Sequence, residues 1–303
     1  MATRRALLVD AFTTEPLSGN AAGVVPDAAG LSDRAMQAVA RELNASETAF
    51  LLPSDDADRR VRYFTPEQEV DLCGHATVGA HAFLASEGVV DEGEHTLETN
   101  LGVLDIAIED GTVWMTQTPP EIREVDVDYA DAAAALGVRE TALTGMREDL
   151  PLARSTTGLP FLTIPFEYLS DLSEMAPDMA AITDISEAHD CAGVFAFTFD
   201  TLESESTLHA RMFAPAAGVP EDPVTGTASG ACGAYLDRFG AFDPTPEEMV
   251  FEQGHFVDRP GRALVRASDA TTEGDVQVGG EAVVTLDGDL DVPEFEDDEI
   301  IEA

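Results

Sequence analysis

Glu47, His75 and Asp222 are the residues of this chain whose setting best suits proton transfer. Glu47 stands where the polar segment Asn44-Ala45-Ser46 runs into the apolar Thr48-Ala49-Phe50-Leu51. A carboxyl at such an edge loses part of its hydration, which raises its pKa toward the range useful for moving a proton. His75 lies between Gly74 and Ala76 at an expected helix start, where the positive end of the helix disfavours imidazolium. Asp222 precedes Pro223 at the mouth of a second glycine-containing turn. Each residue also has a plainer reading: a loop acid, a packing histidine, an Asp-Pro turn opener. Cys73, two residues before His75, is either an acid–base thiol or an inert buried one. Taken together, one acid, one histidine and a second acid suit acid–base chemistry on a small carboxylate.

Two turns must position these groups. One is Asp71-Leu72-Cys73-Gly74-His75-Ala76-Thr77, and the other is Glu221-Asp222-Pro223-Val224-Thr225-Gly226-Thr227-Ala228. Each leads into a run of small residues that predicts a helix, from Ala76 to Ala85 and from Ala228 to Leu236. A helix start offers unpaired N–H donors and a partial positive charge, so it holds an anion without a cation. The chain has few cations to lend. Its 303 residues carry 59 Asp and Glu against 16 Lys and Arg, a net charge of −43, and every cation is arginine.

The absence of lysine removes Schiff-base chemistry with pyridoxal phosphate and the Walker-type phosphate loop. No basic patch exists to meet a nucleic-acid backbone or an anionic membrane surface. The acids are spread along the chain rather than blocked, which reads as a solvated shell suited to high salt more than as a docking surface for basic proteins. Cys73, Cys191 and Cys232 are too few and too scattered for a disulfide framework, and no pair has zinc-type spacing with histidine. No metal or cofactor motif is present. The apolar run Ala6–Val9 is too short for a signal peptide and no segment approaches a membrane span, so a soluble cytoplasmic protein is expected.

The patterning divides the chain into an N-terminal lobe over 1–118 and a C-terminal lobe over 119–286, with an acidic, frayed tail over 287–303. Pro119-Pro120 and the acidic stretch Glu121–Asp128 mark the boundary. Ser32 can cap a helix with Met36, Val39, Ala40 and Leu43 on one face. Each lobe reads as strands, a glycine turn, one inward helix and more strands, a duplicated α+β plan.

An ordered set of segments carries a resemblance to a known family. They are Asp10-Ala11-Phe12-Thr13, Gly19-Asn20, Ala40-Arg41-Glu42-Leu43-Asn44 with Ser46–Phe50, Phe64-Thr65-Pro66, and Cys73-Gly74-His75-Ala76-Thr77. Arg211-Met212-Phe213-Ala214-Pro215, the Glu221–Ala228 turn and Gln253-Gly254 complete it. Together they resemble the PhzF family of phenazine-biosynthesis-like isomerases and epimerases, from Val9 to about Leu286. The resemblance implies a diaminopimelate-epimerase-like fold: two pseudo-symmetric lobes, each a mixed, mostly antiparallel sheet wrapped around a central helix, with the active site in the cleft. It implies that the last strand, Ala282–Leu286, can return to the first lobe, and that the protein is a homodimer. It implies that Glu47 shuttles the proton, that His75 and Asp222 assist, and that Asn20, Gly74, Gly226 and Thr227 hold the substrate. Thr227 stands where some members have serine. The founding reaction moves a proton on trans-2,3-dihydro-3-hydroxyanthranilate without metal or cofactor.

Two other readings stay open. Relatives on this fold racemise amino acids with two facing cysteines, and Cys73 could fill the first place. Thr225 stands where the second thiol is expected, and it cannot serve as a thiolate. A non-catalytic protein that binds an amino-acid-like metabolite is the third reading. The charge generates a prediction of its own. Between roughly 0.1 M and roughly 1 M KCl the Debye length shortens from about 10 Å to about 3 Å. The thermal midpoint should therefore rise over that range in a calorimetric scan, and a flat or falling midpoint rejects a salt-adapted shell.

Overall fold

Nine buried residues in a row, Ala228–Leu236, occupy the middle of the helix Gly226–Arg238. The helix Gly74–Ser86 is likewise buried at Ala76–His81, Phe83 and Leu84. A helix that is apolar all round must be surrounded, and here a sheet does the surrounding. Small residues let the strands come close. A Cβ on Gly233 would lie 2.5 Å from Val265, one on Gly230 2.8 Å from Val278, and one on Gly79 3.3 Å from Val9.

The computed structural model describes residues 2–144, 150–270 and 274–294. The chain forms two compact units, residues 1–115 with 281–303 and residues 116–280. In the first unit the strands run, in spatial order, Ala282–Val292, Ala2–Ala11, Asn20–Val25, Thr48–Leu52, Arg59–Phe64, Gly93–Thr99, Gly102–Glu109 and Thr112–Thr116. In the second the order is Glu121–Glu124, Ala153–Thr156, Pro160–Phe166, Gly193–Thr198, Leu208–Ala214, Met249–Gln253, Gly261–Arg266 and Gln277–Gly280. Both follow one pattern of pairings: antiparallel, antiparallel, parallel, antiparallel, parallel, antiparallel, antiparallel. Each also carries a short antiparallel strand just before its central helix, Glu69–Val70 in one and Val219–Asp222 in the other. The fold is the duplicated α+β architecture expected from the sequence.

The duplication explains the last strand. Ala282–Val292 fills in the first unit the place that Glu121–Glu124 fills in the second. It pairs along the whole of Ala2–Ala11. The acidic stretch after Pro119-Pro120 forms an edge strand, Glu121–Glu124, paired with Ala153–Thr156. The expectation of a tail frayed from Asp287 is corrected here, because pairing continues to Val292 and Arg5 grips Asp287 through two hydrogen bonds of 2.9 and 2.6 Å. Residues 295–303 of the expected tail lie outside the described residues. The helix Asp33–Leu43 begins as its sequence predicts, with the Ser32 hydroxyl accepting from the Ala35 amide.

Among the described residues the buried acids are Asp10, Asp171 and Glu252. Burial alone would raise the Glu252 carboxyl. Hydrogen bonds from His209 and the Leu202 amide outweigh it and hold its pKa down at about 2.

His81 sits inside the first central helix and donates from Nδ1 to the Thr77 carbonyl at 2.9 Å. Burial lowers its pKa from 6.5 to about 4. The unfolded chain therefore takes up this proton first as pH falls. Stability contributed by neutral His81 is complete above pH 6.5 and is lost as pH falls through 4. Burial also lowers His255, which adds to the loss in the same direction. Urea midpoints measured at stepped pH should fall over this window, and His81→Leu should flatten part of that slope. An unchanged slope in the variant would remove His81 as its cause.

Candidate active site

The first cluster forms where three elements of the first unit end. The helix Asp33–Leu43 stops at Asn44, whose left-handed conformation turns the chain and whose N–H bonds to the Ala40 carbonyl. Ser46 and Glu47 follow, immediately before the strand Thr48–Leu52. The Glu47 carbonyl accepts from the Gly23 amide at 2.9 Å, so its backbone is fixed at the sheet. Its side chain remains partly exposed, at 23%.

His75 is the second residue of the helix Gly74–Ser86. Its Nε2 lies 3.4 Å from Glu47 Oε2 and 3.2 Å from the Ser46 hydroxyl. Its Nδ1 lies 3.4 Å from the Cys73 sulfur. A carboxylate, a hydroxyl, an imidazole and a thiol thus meet around one ring. Cys73 is the N-cap, but its side chain makes no capping bond. The cap is replaced by a buttress from behind: the Thr77 hydroxyl donates to the Cys73 carbonyl at 2.7 Å and accepts from the buried Tyr63 hydroxyl at 2.5 Å. Gly74 has no positive φ, and a Cβ there would meet nothing within 4 Å. Neither backbone nor packing demands glycine at that position, which leaves open space over the helix start. Asn20 is buried at the first position of Asn20–Val25, opposite Ala11.

The second unit builds the same device with other side chains. Thr225 is the N-cap of Gly226–Arg238 and also makes no side-chain capping bond. The Ser229 hydroxyl donates to the Thr225 carbonyl at 2.9 Å, as Thr77 does to Cys73. The Thr225 hydroxyl donates to Asp222 Oδ2 at 2.5 Å. Gln253, 1% exposed, donates from Nε2 to the Asp222 carbonyl at 2.7 Å and to the Thr225 hydroxyl at 3.3 Å. Its Oε1 accepts from the Thr225 amide at 3.3 Å. Gly226 and Thr227 form the first turn, and the Thr227 carbonyl accepts from Thr157 at 3.2 Å. Arg211 grips Glu221, the neighbour of Asp222, through two bonds of 2.8 and 2.7 Å. Such a fork fixes direction as well as distance.

These clusters can be set against known proteins. The family model for phenazine biosynthesis-like proteins, PhzC-PhzF, matches residues 9–288. The chain belongs to the PhzF family. It is 35% identical over 283 residues to an isomerase of Bacillus subtilis, YfhB, covering 91% of this chain and 95% of that one. It is 33% identical over 292 residues to the trans-2,3-dihydro-3-hydroxyanthranilate isomerase of Pseudomonas aeruginosa, covering 94% of this chain and 98% of that one. The crystal structure of a Bacillus anthracis PhzF-family protein superposes with a TM-score of 0.87 at 32% identity, over 96% of this chain and 100% of that one. A hydroxyproline epimerase from Agrobacterium vitis shares the fold alone, with a TM-score of 0.59 at 13% identity over 95% of this chain and 92% of that one.

As a PhzF-family isomerase, the chain brings together more than its sequence-predicted residues. Glu47 and His75 are in contact, and Cys73 and Ser46 join them. Asp222 is held by Thr225 and Gln253, whose roles the sequence reading did not assign. The signal was there: a glutamine inside the apolar strand Met249–Gln253 needs buried partners. Cys232 lies in the helix interior, fully buried, and burial pushes its thiol far up, so it offers no second base. Removing the Gln253 amide deletes its bonds to the Asp222 carbonyl and the Thr225 amide. Gln253→Leu should lower kcat/KM for isomerisation by about a hundredfold through misplacement of Asp222. Steady-state kinetics beside a circular dichroism control check it, and unchanged kinetics would deny Gln253 that positioning role.

Proposed function

We propose that this PhzF-family isomerase takes a proton from carbon and returns it elsewhere on the same small cyclic or amino carboxylate, with Glu47 as base and then acid. The observation that carries the reading is the Glu47–His75 contact of 3.4 Å beside the open helix start at Gly74. Glu47 is held by its backbone at the start of an internal strand but keeps its carboxylate accessible, as a proton shuttle requires. His75 Nε2, within reach of both Glu47 and Ser46, orients the carboxylate and relays charge. Asp222, fixed by Thr225 and Gln253, orients the substrate. The first-turn amides at Gly74, Gly226 and Thr227 hold carboxylate or hydroxyl oxygens, and Asn20 supplies a further polar contact.

A helix start suits this chain because neither helix spends an N-cap side chain on its own first amides. Those donors remain for a ligand. The Pseudomonas relative's substrate, trans-2,3-dihydro-3-hydroxyanthranilate, is the first compound to assay. A homodimer, cytoplasmic placement and adaptation to high salt belong to the same proposal.

General acid–base catalysis contributes about 10²–10⁴-fold. Glu47→Gln keeps the shape of the side chain and removes the proton carrier. It should lower solvent-deuterium incorporation into substrate by at least about a hundredfold, read by mass spectrometry in high salt. Retained exchange in a folded variant would take the proton-carrying role from Glu47.

A further inference from the structure

The thiol, imidazole and carboxylate of the first cluster are also a ligand set. Cys73 Sγ, a ring nitrogen of His75 and a carboxylate oxygen of Glu47 all lie within 4.8 Å of one another. His75 Nε2 is 3.9 Å from the sulfur and 3.4 Å from Glu47 Oε2. Tetrahedral zinc with bonds of about 2.3 Å to sulfur and 2.0–2.2 Å to nitrogen and oxygen sets its ligand pairs about 3.3–3.7 Å apart. The three donors can therefore close on one ion by side-chain rotation, with the Cys73 sulfur moving from beside Nδ1 toward Nε2. Their backbones are already held, Cys73 by the Thr77 hydroxyl and Glu47 by the Gly23 amide. Among the described residues this is the group of histidine, cysteine and acid side chains whose donor atoms all come within 4.8 Å of one another.

We propose that Glu47, Cys73 and His75 form a binding site for a thiophilic divalent cation of the Zn²⁺ or Co²⁺ class, with the fourth position left to water. The donor set selects the ion. One thiolate and one imidazole favour zinc-like metals, whereas magnesium and calcium prefer oxygen ligands throughout. On binding, the Cys73 thiol gives its proton to solvent, His75 binds as neutral imidazole through Nε2, and Glu47 binds as carboxylate. The ion occupies the carboxylate assigned above to proton transfer, so zinc should act as a reversible inhibitor. That consequence rests on the proposed function; the binding does not.

Cobalt distinguishes the two. Titrating the full chain with Co²⁺ in high salt and excess Mg²⁺ should give one equivalent of intense four-coordinate absorption together with a near-ultraviolet thiolate-to-cobalt band. Zn²⁺ should then displace both. Cys73→Ser, which keeps a residue well suited to the N-cap, should lose the thiolate band, and Glu47→Gln should weaken binding by at least about tenfold. A weak six-coordinate spectrum, or a thiolate band that survives Cys73→Ser, would overturn the site. Zinc that binds at Cys73 without slowing deuterium exchange would uphold the site and remove Glu47 from the catalytic role.

Discussion

The fixed starts of two buried helices are the constraint on which the rest depends. Gly74–Ser86 and Gly226–Arg238 are each 13 residues long and made mostly of small side chains. A sheet wraps each one, and close strand approach at Gly79, Gly230 and Gly233 leaves the helices little freedom to slide. Each start is then tied back by a hydroxyl four residues on, Thr77 to Cys73 and Ser229 to Thr225. The usual N-cap side-chain bond is absent at both. A cap is worth roughly 1 kcal/mol to a helix. Its loss is tolerated because packing holds the helix, and the amides it would have satisfied stay available. Stability supplied from behind the helix thus frees chemistry at its front.

The same economy governs the cations. With 16 arginines against 59 acids, every guanidinium placed in the interior must do positional work. In the first unit Arg62 forks onto Glu69 at 2.7 and 2.6 Å and lies over Phe64. In the second, Arg211 forks onto Glu221 and lies over Phe213. Each glutamate stands on the short strand four residues before the N-cap of the central helix. One device, a strand arginine stacked on the phenylalanine two residues on and clamping the segment that enters the helix, has been used twice. Lysine could not replace it, because a point charge does not fix the direction of a carboxylate.

Much of this was legible in the sequence, and the part that was not has physical reasons. The two turns, both central helices and the Ser32 cap follow from local chemistry: glycine, small-residue runs and a hydroxyl before an apolar stripe. The repeat was also written there, as Arg62-Tyr63-Phe64-Thr65-Pro66 and Arg211-Met212-Phe213-Ala214-Pro215, then Gly74-His75-Ala76-Thr77 and Gly226-Thr227-Ala228-Ser229. Its significance needed the matching order of strand pairings. The acidic strands Glu121–Glu124 and Ala282–Val292 were harder, because their charges read as solvated chain. Edge strands tolerate charge on their exposed faces, and only pairing with a distant segment, Ala153–Thr156 for the one and Ala2–Ala11 for the other, identifies them. The partners of Asp222 were hidden for the same reason: Gln253 is 31 residues away in sequence and 2.7 Å away in space.

Duplication also sharpens what differs. Cys73 and Thr225 hold the same place in the two copies, each an N-cap tied back by the hydroxyl four residues on. A matched pair of thiols there would supply two equivalent acid–base groups. Here the pair is unlike. The Cys73 sulfur faces an imidazole at 3.4 Å, while the Thr225 hydroxyl is committed to Asp222. Threonine does not ionise at ordinary pH, so Thr225 cannot match Cys73 as an acid–base group. It can fix an aspartate and present amides. The frame has kept its symmetry in the backbone and given it up in the side chains. One copy gathers a carboxylate, a hydroxyl and a thiol around an imidazole, and the other commits its hydroxyl to an aspartate.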